Sequence, residues 1–433
     1  DKRGQKVRDD AQQHGPSLGH RLHRGDDEYP PLHKSRDPDL GRGDERKQGG
    51  SRQPQQEEQA PDQEQDASPD PATAVSQAAF RQARLEARES LPAKLDLILE
   101  RLHVRDRVKG ESVALKLHVG NNIGYSTIHP VFVRKVVQAI KDGGGKPFIV
   151  DVNWDVKGSE ERGYTTEVLG CPIYPSAGLS EKYSYPHEWE YKNMKTWKVA
   201  GLVEEASFLV NFAHVKGHPS CGFGAAFKNI ALGCMVGETR GQIHDTNHFD
   251  RYWFKELCPD RDLMQKIVDS CPFGAIVFDK HDPDELHLHF EPCNNCMRCQ
   301  QVAPEGSLKI QAVNFHSFME ACAISTAITL GTFEKGKTTH LALATHMTPV
   351  CDCFGFTSMP VMRDAGIFGS DDIVALDKAI LDATAGFPLI EENLPTSMEV
   401  QRHNGHPFAQ LHGRFKDPYV VARYGEKIGL GSQ

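Results

Sequence analysis

Four thiols stand out by type and spacing. Cys293, Cys296 and Cys299 form a C-x2-C-x2-C run, and Cys271 lies upstream in Cys271-Pro272, followed by Gly274-Ala275-Ile276. In bacterial-type ferredoxins a three-Cys run supplies three soft thiolates to one cubane, and a Cys-Pro cysteine from the other half of the fold supplies the fourth. Cys271, Cys293, Cys296 and Cys299 are therefore read as the ligands of one [4Fe-4S] cluster. A second cluster of this type cannot be assembled, because Ala303-Pro304 stands where the next Cys-Pro would and only Cys258 where an earlier run would. Structural zinc is the alternative, but it commonly uses paired C-x2-C knuckles, and the crowded run better suits the corners of a cube.

A second concentration of reactive side chains follows the apolar run Phe208 to Ala213. It presents His214, Lys216, His218, Lys228, His244 and His248 around Gly222-Phe223-Gly224, a turn expected to open a helix. Backbone N–H groups at such a turn bind anions, and nearby lysines add charge. Any one of these histidines is more simply a solvated side chain; the group as a whole reads as an anion or metal site. Zinc hydrolase chemistry is disfavoured, since no H-E-x-x-H pattern is present. A further pair, Cys351-Asp352-Cys353, would share one face of an extended strand, so both sulfurs reach one ion only if a turn draws them together or other ligands join them. Buried or incidental thiols are the favoured reading of that pair.

Positioning these groups requires an α/β framework. After Ser90 and Pro92, Leu95, Ile98, Leu99 and Leu102 recur at helical spacing, preceded by a helical pattern at Phe80, Leu85 and Ala87. Ser112 to Val119 reads as a strand, Pro130 to Ile140 as a helix, Gly143-Gly144-Gly145 as its break, and Pro147 to Val152 as a buried strand. That succession is a βαβ unit of a parallel sheet, whose ligands gather at the carboxyl ends of the strands. It puts His118, Asn121 and Asn122 after one strand and Asp151, Asn153 and Trp154 after the next. Phe318 to Ile328 is helix-like, Leu341 to Ala344 strand-like, and Ser370 or Asp371 would cap a helix carrying Val374, Leu376, Ile380 and Leu381. The stretch after Pro395 reads as irregular. The expected fold is α/β, with parallel-sheet lobes, an inserted half-ferredoxin module and a disordered leader. Its divisions are residues 1–75 (leader), 76–255 (first part of the α/β body), 256–310 (single-cluster module) and 311–433 (second part).

Composition narrows the function classes. A chain of 433 residues has room for about two or three domains. Residues 1–75 contain no Ile, Phe, Met, Trp or Cys, and so bury too little apolar surface to offset the entropy of ordering. The chain opens on Asp1, and no function is assigned to this leader. A net charge of −9 argues against nonspecific nucleic-acid binding. Eleven cysteines without a secretory leader do not read as a disulfide framework. No apolar run approaches membrane-spanning length, so a cytoplasmic, reducing location and no membrane partner are expected.

The runs LPAKLDLILERL, VALKLHVGN, KPFIVDVN, NFAHVKGHPSCGFGAAFKNIALGCM, the four-cysteine module, TPVCDCFGFTSMPVMRDAGIFGSDDIVALDKA and YGEKIGLGS resemble, from about Ser90 to Gly431, the iron–sulfur proteins of the domain-of-unknown-function 362 family. Members typically carry an inserted ferredoxin module, often with two cubane motifs; this chain lacks one three-Cys run and one Cys-Pro, which removes a relay between two clusters. More faintly, His218-x3-Gly222-Phe223-x4-Lys228, with His244 sixteen residues on, is similar to the cofactor-holding segment of nickel-pincer lactate racemases. That similarity implies that His218 and Lys228 face a bound cofactor or anion and that His244 is a metal ligand or base.

Two function classes fit. In the first, a redox protein passes electrons between the cluster, an unidentified redox partner and a small anionic ligand; the ligand is held by Lys116, His118, His214, Lys216, Gly222 and Gly224, with His218, Lys228 and His244 as the catalytic candidates. In the second, a racemase- or isomerase-like enzyme uses a second anionic or nucleotide-type cofactor, and its cluster is structural.

Overall fold

The computed structural model describes residues 89–122, 124–355 and 358–433. The expected leader and the pattern at Phe80, Leu85 and Ala87 lie outside the described residues. Helix α1 (Leu91–Arg101) opens as its sequence demands: the Ser90 hydroxyl accepts from Ala93 N, and Pro92 sits in the first turn, where a missing N–H costs nothing. Strand β1 (Ser112–Leu117), helix α2 (Pro130–Asp142) and strand β2 (Lys146–Asp151) form the expected βαβ unit, with β1 and β2 parallel. Burial of Val133, Val136, Val137 and Ile140 on one face of α2 contributes roughly 1.5–3 kcal/mol each. The chain continues through α3 (Asn153–Val156), β3 (Ile173–Pro175), β4 (Ser184–Tyr191), β5 (Met194–Ala200), β6 (Phe208–His214), β7 (Lys216–His218), β8 (Gly222–Gly224), α4 (Ala226–Gly233) and α5 (Gly237–Asp245). Then come α6 (Arg261–Asp269), β9 (Ile276–Phe278), β10 (Leu286–Leu288), α7 (Arg298–Val302), α8 (Ala312–Gly331), β11 (Thr338–Ala344), β12 (Gly366–Ser370), α9 (Ile373–Thr384), α10 (Pro407–His412) and α11 (Tyr419–Lys427).

Six strands build the central sheet in the order β12-β11-β6-β1-β2-β3, all parallel except β12, which runs antiparallel to β11. Counted within the sheet this is the doubly wound order 3-2-1-4-5-6, in which the winding reverses between β1 and β6. Residues before and after the thiol module thus share one sheet, because β11 pairs with β6. Alternation along the strands sends Val113, Leu115, Leu117, Phe208, Val210, Phe212, Leu341 and Leu343 to the layer of α1 and α2. Ala114, Leu209, Ala213, Ala342 and Ala344 face the layer of α4 and α9.

Three polar residues interrupt that second face in register. Lys116 is opposite Asn211, and Asn211 is opposite His340. Asn229 of α4 closes the row, donating to Asn211 Oδ1 at 2.7 Å while its own Oδ1 accepts from Lys116 Nζ at 2.9 Å. The β9–β10 hairpin, α6, α7 and flanking loops have a core of their own, built on Tyr252, Trp253, Met264, Ile267, Ile276, Leu288, Phe290 and Phe315.

Several expectations change. Gly222-Phe223-Gly224 is not a turn but β8 of a two-stranded hairpin with β7, separate from the main sheet; the expected helix, α4, starts just after it at Ala226. The cap of α9 is Asp372, whose carboxylate accepts from Val374 N and Ala375 N, because Ser370 is still paired in β12. The stretch after Pro395 is mostly irregular, as expected, but it also carries α10 and α11, which bury Phe408, Leu411, Val420 and Ala422. Among the described residues, no helix is long and apolar enough to cross a membrane.

His340 is 1% exposed, and burial pulls its pKa down to about 4, below the value near 6.5 of an unfolded chain. Unfolding between those values takes up a proton, so stability is whole above about pH 6.5 and falls, by on the order of 3 kcal/mol for this ring, as pH drops toward 4. His340→Gln should lower the slope of urea-derived stability against pH in that window by about one proton. An unchanged slope would mean that the folded ring is already charged.

Candidate functional site

The strand order brings the carboxyl ends of β2, β1, β6 and β11 side by side, and the side chains there leave water together. Lys116 Nζ donates to Asp151 Oδ1 at 2.9 Å and to the Leu117 carbonyl at 2.8 Å. Asp151 Oδ2 also accepts from Val119 N at 3.0 Å and meets His118 Nδ1 at 3.0 Å, while Asp155 Oδ2 lies 3.3 Å from the same ring nitrogen. Burial works against a charge on His118, but Asp155 and Asp151 outweigh it and raise its pKa well above the ordinary value. Burial also raises the Asp155 carboxyl; for Asp151 it is overcome by Lys116 and His118, which hold that carboxyl well below its usual range.

A second carboxylate organises the β6 side. Asp352 Oδ2 pairs with His214 Nδ1 and Lys216 Nζ, each at 2.9 Å, and Asp352 Oδ1 accepts from Ser126 Oγ at 2.8 Å. His214 Nε2 lies 2.9 Å from the Thr345 carbonyl. Burial alone would push the Asp352 carboxyl up; Lys216 and His214 hold it well below the usual range.

Asp352 lies in a short 3-10 turn, Asp352–Phe354, so Cys351 and Cys353 are not on an extended strand. The turn brings both sulfurs within 4.8 Å of each other and of His118, the arrangement the sequence alone left conditional. Lys228 Nζ lies 3.1 Å from Cys351 Sγ and 3.9 Å from Cys353 Sγ. Despite burial, the bond from Cys353 and the charges of Lys228 and Lys216 lower the Cys351 pKa well below that of an ordinary thiol, while the same bond and burial raise that of Cys353 well above.

His218 is 2% exposed and accepts from Ser220 N at 3.1 Å. His218 and His244 flank the Phe318 ring, with centroids 6.5 and 4.7 Å away. Burial, then Lys228, lower the His218 pKa, and burial lowers that of His244 to about 4. His218, Lys228 and His244 therefore lie near one another, with the Lys228 charge acting on both rings. Gly222 and Gly224 are paired with His218 and Lys216 in the β7–β8 hairpin. The N-terminal N–H groups of α4, from Ala226 and Phe227, are already taken by the Asp377 carboxylate at 3.0 and 3.1 Å. Gly222 has φ 75° and packs so tightly on the Lys416 carbonyl that a Cβ would collide with it.

Cys271, Cys293, Cys296 and Cys299 line one cavity, with Phe273, Ile276, Leu288 and Ile310 as its apolar wall. Left-handed backbone at Asn295 (φ 60°) and Met297 (φ 62°) coils the run. Ala275 N donates to Cys271 Sγ at 3.2 Å, and Asn295 Nδ2 lies 3.8 Å from Cys293 Sγ. Burial pushes the Cys299 thiol up to about 12. Cys258 is 1% exposed in the module core and does not line the cavity.

The loop of this cavity and the Cys351 turn are joined by one segment. His412 Nε2 meets the Pro349 carbonyl at 2.7 Å, Phe415 N donates to Asn295 Oδ1 at 3.1 Å, and Lys416 Nζ donates to the Glu291 carbonyl at 2.9 Å. Gly413 (φ 114°) lets the segment press on Asn294 and Asn295, where a Cβ would clash. Reading the sequence missed Asp155, Asn211, Asn229 and His340 and gave Asp352 no role; for Asn211 and His340 the available signal was a polar residue inside an apolar run, LVNFA and THLAL.

Fold and site together define a doubly wound α/β protein whose groups fit a metal- or cofactor-dependent role, with cysteine and His/Asp sets able to hold a metal. The chain belongs to the family described as domain of unknown function (DUF362), whose model matches residues 113–382. No protein of curated function matches it. Among solved structures, the lactate racemase apoprotein from Thermoanaerobacterium thermosaccharolyticum aligns over 65% of this chain and 52% of its own length, with 11% identity and a TM-score of 0.32. The chain thus spans about half of that protein, and so loose a likeness assigns no chemistry.

Asp352→Ala should cost about 3–5 kcal/mol in urea denaturation, because Lys216 and His214 are left buried without their counter-charge. Adding Lys216→Met should recover a large part of the loss. A single variant within about 1 kcal/mol of the parent would show that the pair is solvated in the protein.

Proposed function

We propose that this protein binds one [4Fe-4S] cluster through Cys271, Cys293, Cys296 and Cys299 and acts as a redox protein, either an electron carrier or an oxidoreductase, on a small anionic ligand beside His218, Lys228 and His244. The observation that carries the reading is the convergence of four thiols, from two separated stretches, on one apolar cavity. The spacing of the sulfurs supports a cluster over one zinc ion. Zinc–sulfur bonds of about 2.3 Å would bring tetrahedral sulfurs to about 3.8 Å from one another. These four do not form a set within 4.8 Å, unlike the sets around His118. N–H donors to Cys271 and Cys293 are the kind of contact that tunes a cluster's potential.

A bound cluster supplies a one-electron couple; the remaining work falls to the chain. Phe273, Ile276, Leu288 and Ile310 keep water from the sulfurs, and the His412–Lys416 segment fixes the cavity loop against the Cys351 turn. Lys116 and Lys216 are each paired with a carboxylate, whereas Lys228 faces only thiol sulfur among the described residues. Lys228 is therefore the cation best placed to exchange its partner for an anionic ligand, with neutral His218 and His244 beside it to accept or donate a proton.

Anaerobic reconstitution should give about four iron and four sulfide per chain and an EPR signal on reduction. Cys293→Ser or Cys271→Ser should lower iron sharply, and Cys258→Ser should not. Equal iron loss in Cys258→Ser would show the fourth ligand to be misassigned. A full cluster with no reversible couple would leave the binding assignment standing and remove the redox role.

A further inference from the structure

We propose that Cys351, Cys353 and His118 form a second, mononuclear metal site for a thiophilic divalent ion such as zinc, separate from the four-cysteine cavity. Three observations carry it. The two sulfurs and a nitrogen of His118 lie within 4.8 Å of one another, with His118 Nε2 4.0 Å from Cys351 Sγ. Ligands about 2.0–2.3 Å from a tetrahedral ion stand roughly 3.5–3.8 Å apart, so small side-chain movements close the set.

The second observation is what stands behind the ring. His118 Nδ1 faces Asp151 Oδ2 at 3.0 Å and Asp155 Oδ2 at 3.3 Å. A carboxylate on one ring nitrogen holds its N–H and turns the other nitrogen toward the ion, which is how histidine ligands are usually oriented. The chain supplies this support before any metal is considered, because Asp151 is itself fixed by Lys116 and Val119 N.

The third is an orphaned acceptor. Asp155 is 2% exposed, yet its Oδ1 has no hydrogen-bond partner among the described residues. A buried carboxylate oxygen left without a donor costs roughly 1–3 kcal/mol or more, and native structures seldom leave one without a reason. Two thiolates and one imidazole leave the fourth tetrahedral position open, as in catalytic zinc sites, and a water there would give Asp155 Oδ1 its donor. A soft set of two sulfurs and one imidazole nitrogen selects zinc or another thiophilic ion over magnesium or calcium. Asp352, between the two cysteines and fixed by His214, Lys216 and Ser126, keeps the turn in shape. On ion binding the Cys353 thiol and the Nε2 of the ring lose their protons to solvent, the ring keeps its Nδ1–H on Asp151, and Cys351 binds as the thiolate.

The test uses the intact, cluster-loaded protein, titrated anaerobically with zinc alone and read by metal analysis and zinc-edge X-ray absorption, which does not see iron. The expected result is one zinc per chain, with about two sulfur and two nitrogen or oxygen neighbours. Cys353→Ser and His118→Gln should each lose stoichiometric zinc while iron content stays at the parent value. Asp155→Asn should weaken zinc binding by roughly 10–100-fold. Cys293→Ser should do the reverse, losing iron and keeping zinc, so failure of the cluster assignment is separable from failure of this one. The proposal is overturned by zinc with four sulfur neighbours, by zinc retained in Cys353→Ser, by no zinc uptake, or by recovery of Cys351 and Cys353 as a disulfide. If Cys353→Ser or His118→Gln fails to fold, the zinc-edge spectrum of the parent protein decides alone.

Discussion

Charge taken out of water must be matched by opposite charge or by hydrogen bonds, and at the carboxyl edge of this sheet two carboxylates do most of that matching. Asp151 binds Lys116, His118 and the Val119 N–H; Asp352 binds His214, Lys216 and Ser126. Stripping either one would leave a buried cation, at a cost of several kcal/mol. Replacing a whole pair with apolar side chains would cost far less, so the pairs are better explained by what they position than by the stability they add. They hold His118 and the Cys351–Cys353 turn where side chains from β1, α4 and the loop after β11 meet.

The doubly wound order decides where that meeting happens. With winding reversed between β1 and β6, the loops after those strands diverge and leave a crevice at their ends. Here the crevice is filled by the chain's own groups: the β7–β8 hairpin, Lys228 from α4 and the Cys351 turn. Lysines expected to await an anion are mostly neutralised from within, and the α4 N-terminus is occupied by Asp377. Among the described residues, the cation left without a carboxylate there is Lys228, beside Cys351 and Cys353.

Two thiol centres then lie on one connected scaffold. The His412–Lys416 segment bonds to the carbonyl two residues before Cys351 at one end and to the loop of the four-cysteine cavity at the other. Because Gly413 admits no side chain against Asn294 and Asn295, any shift of the cavity loop is felt directly by this segment. Rigid packing of that kind holds two centres at a fixed separation.

Periodicity and donor spacing were enough, in the sequence, for the βαβ unit from Ser112 to Asp151, the face of α2, the parallel strand at Phe208 and the grouping of Cys271 with Cys293, Cys296 and Cys299. Each of those signals is local or rests on a ligand pattern that chemistry repeats. Tertiary structure alone decided the rest. Gly222-Phe223-Gly224 became a hairpin strand because its partner is Lys216-Gly217-His218 and its backbone must pass the Lys416 carbonyl. Asp352 became the hub of a buried network through residues 126, 214 and 216, and Asp155 came to stand behind His118 on a helix from a different βα connection. Cys351 and Cys353, two residues apart, acquired their third partner from position 118. Contacts across such separations are set by sheet order and packing, and no window along the chain contains both sides of them.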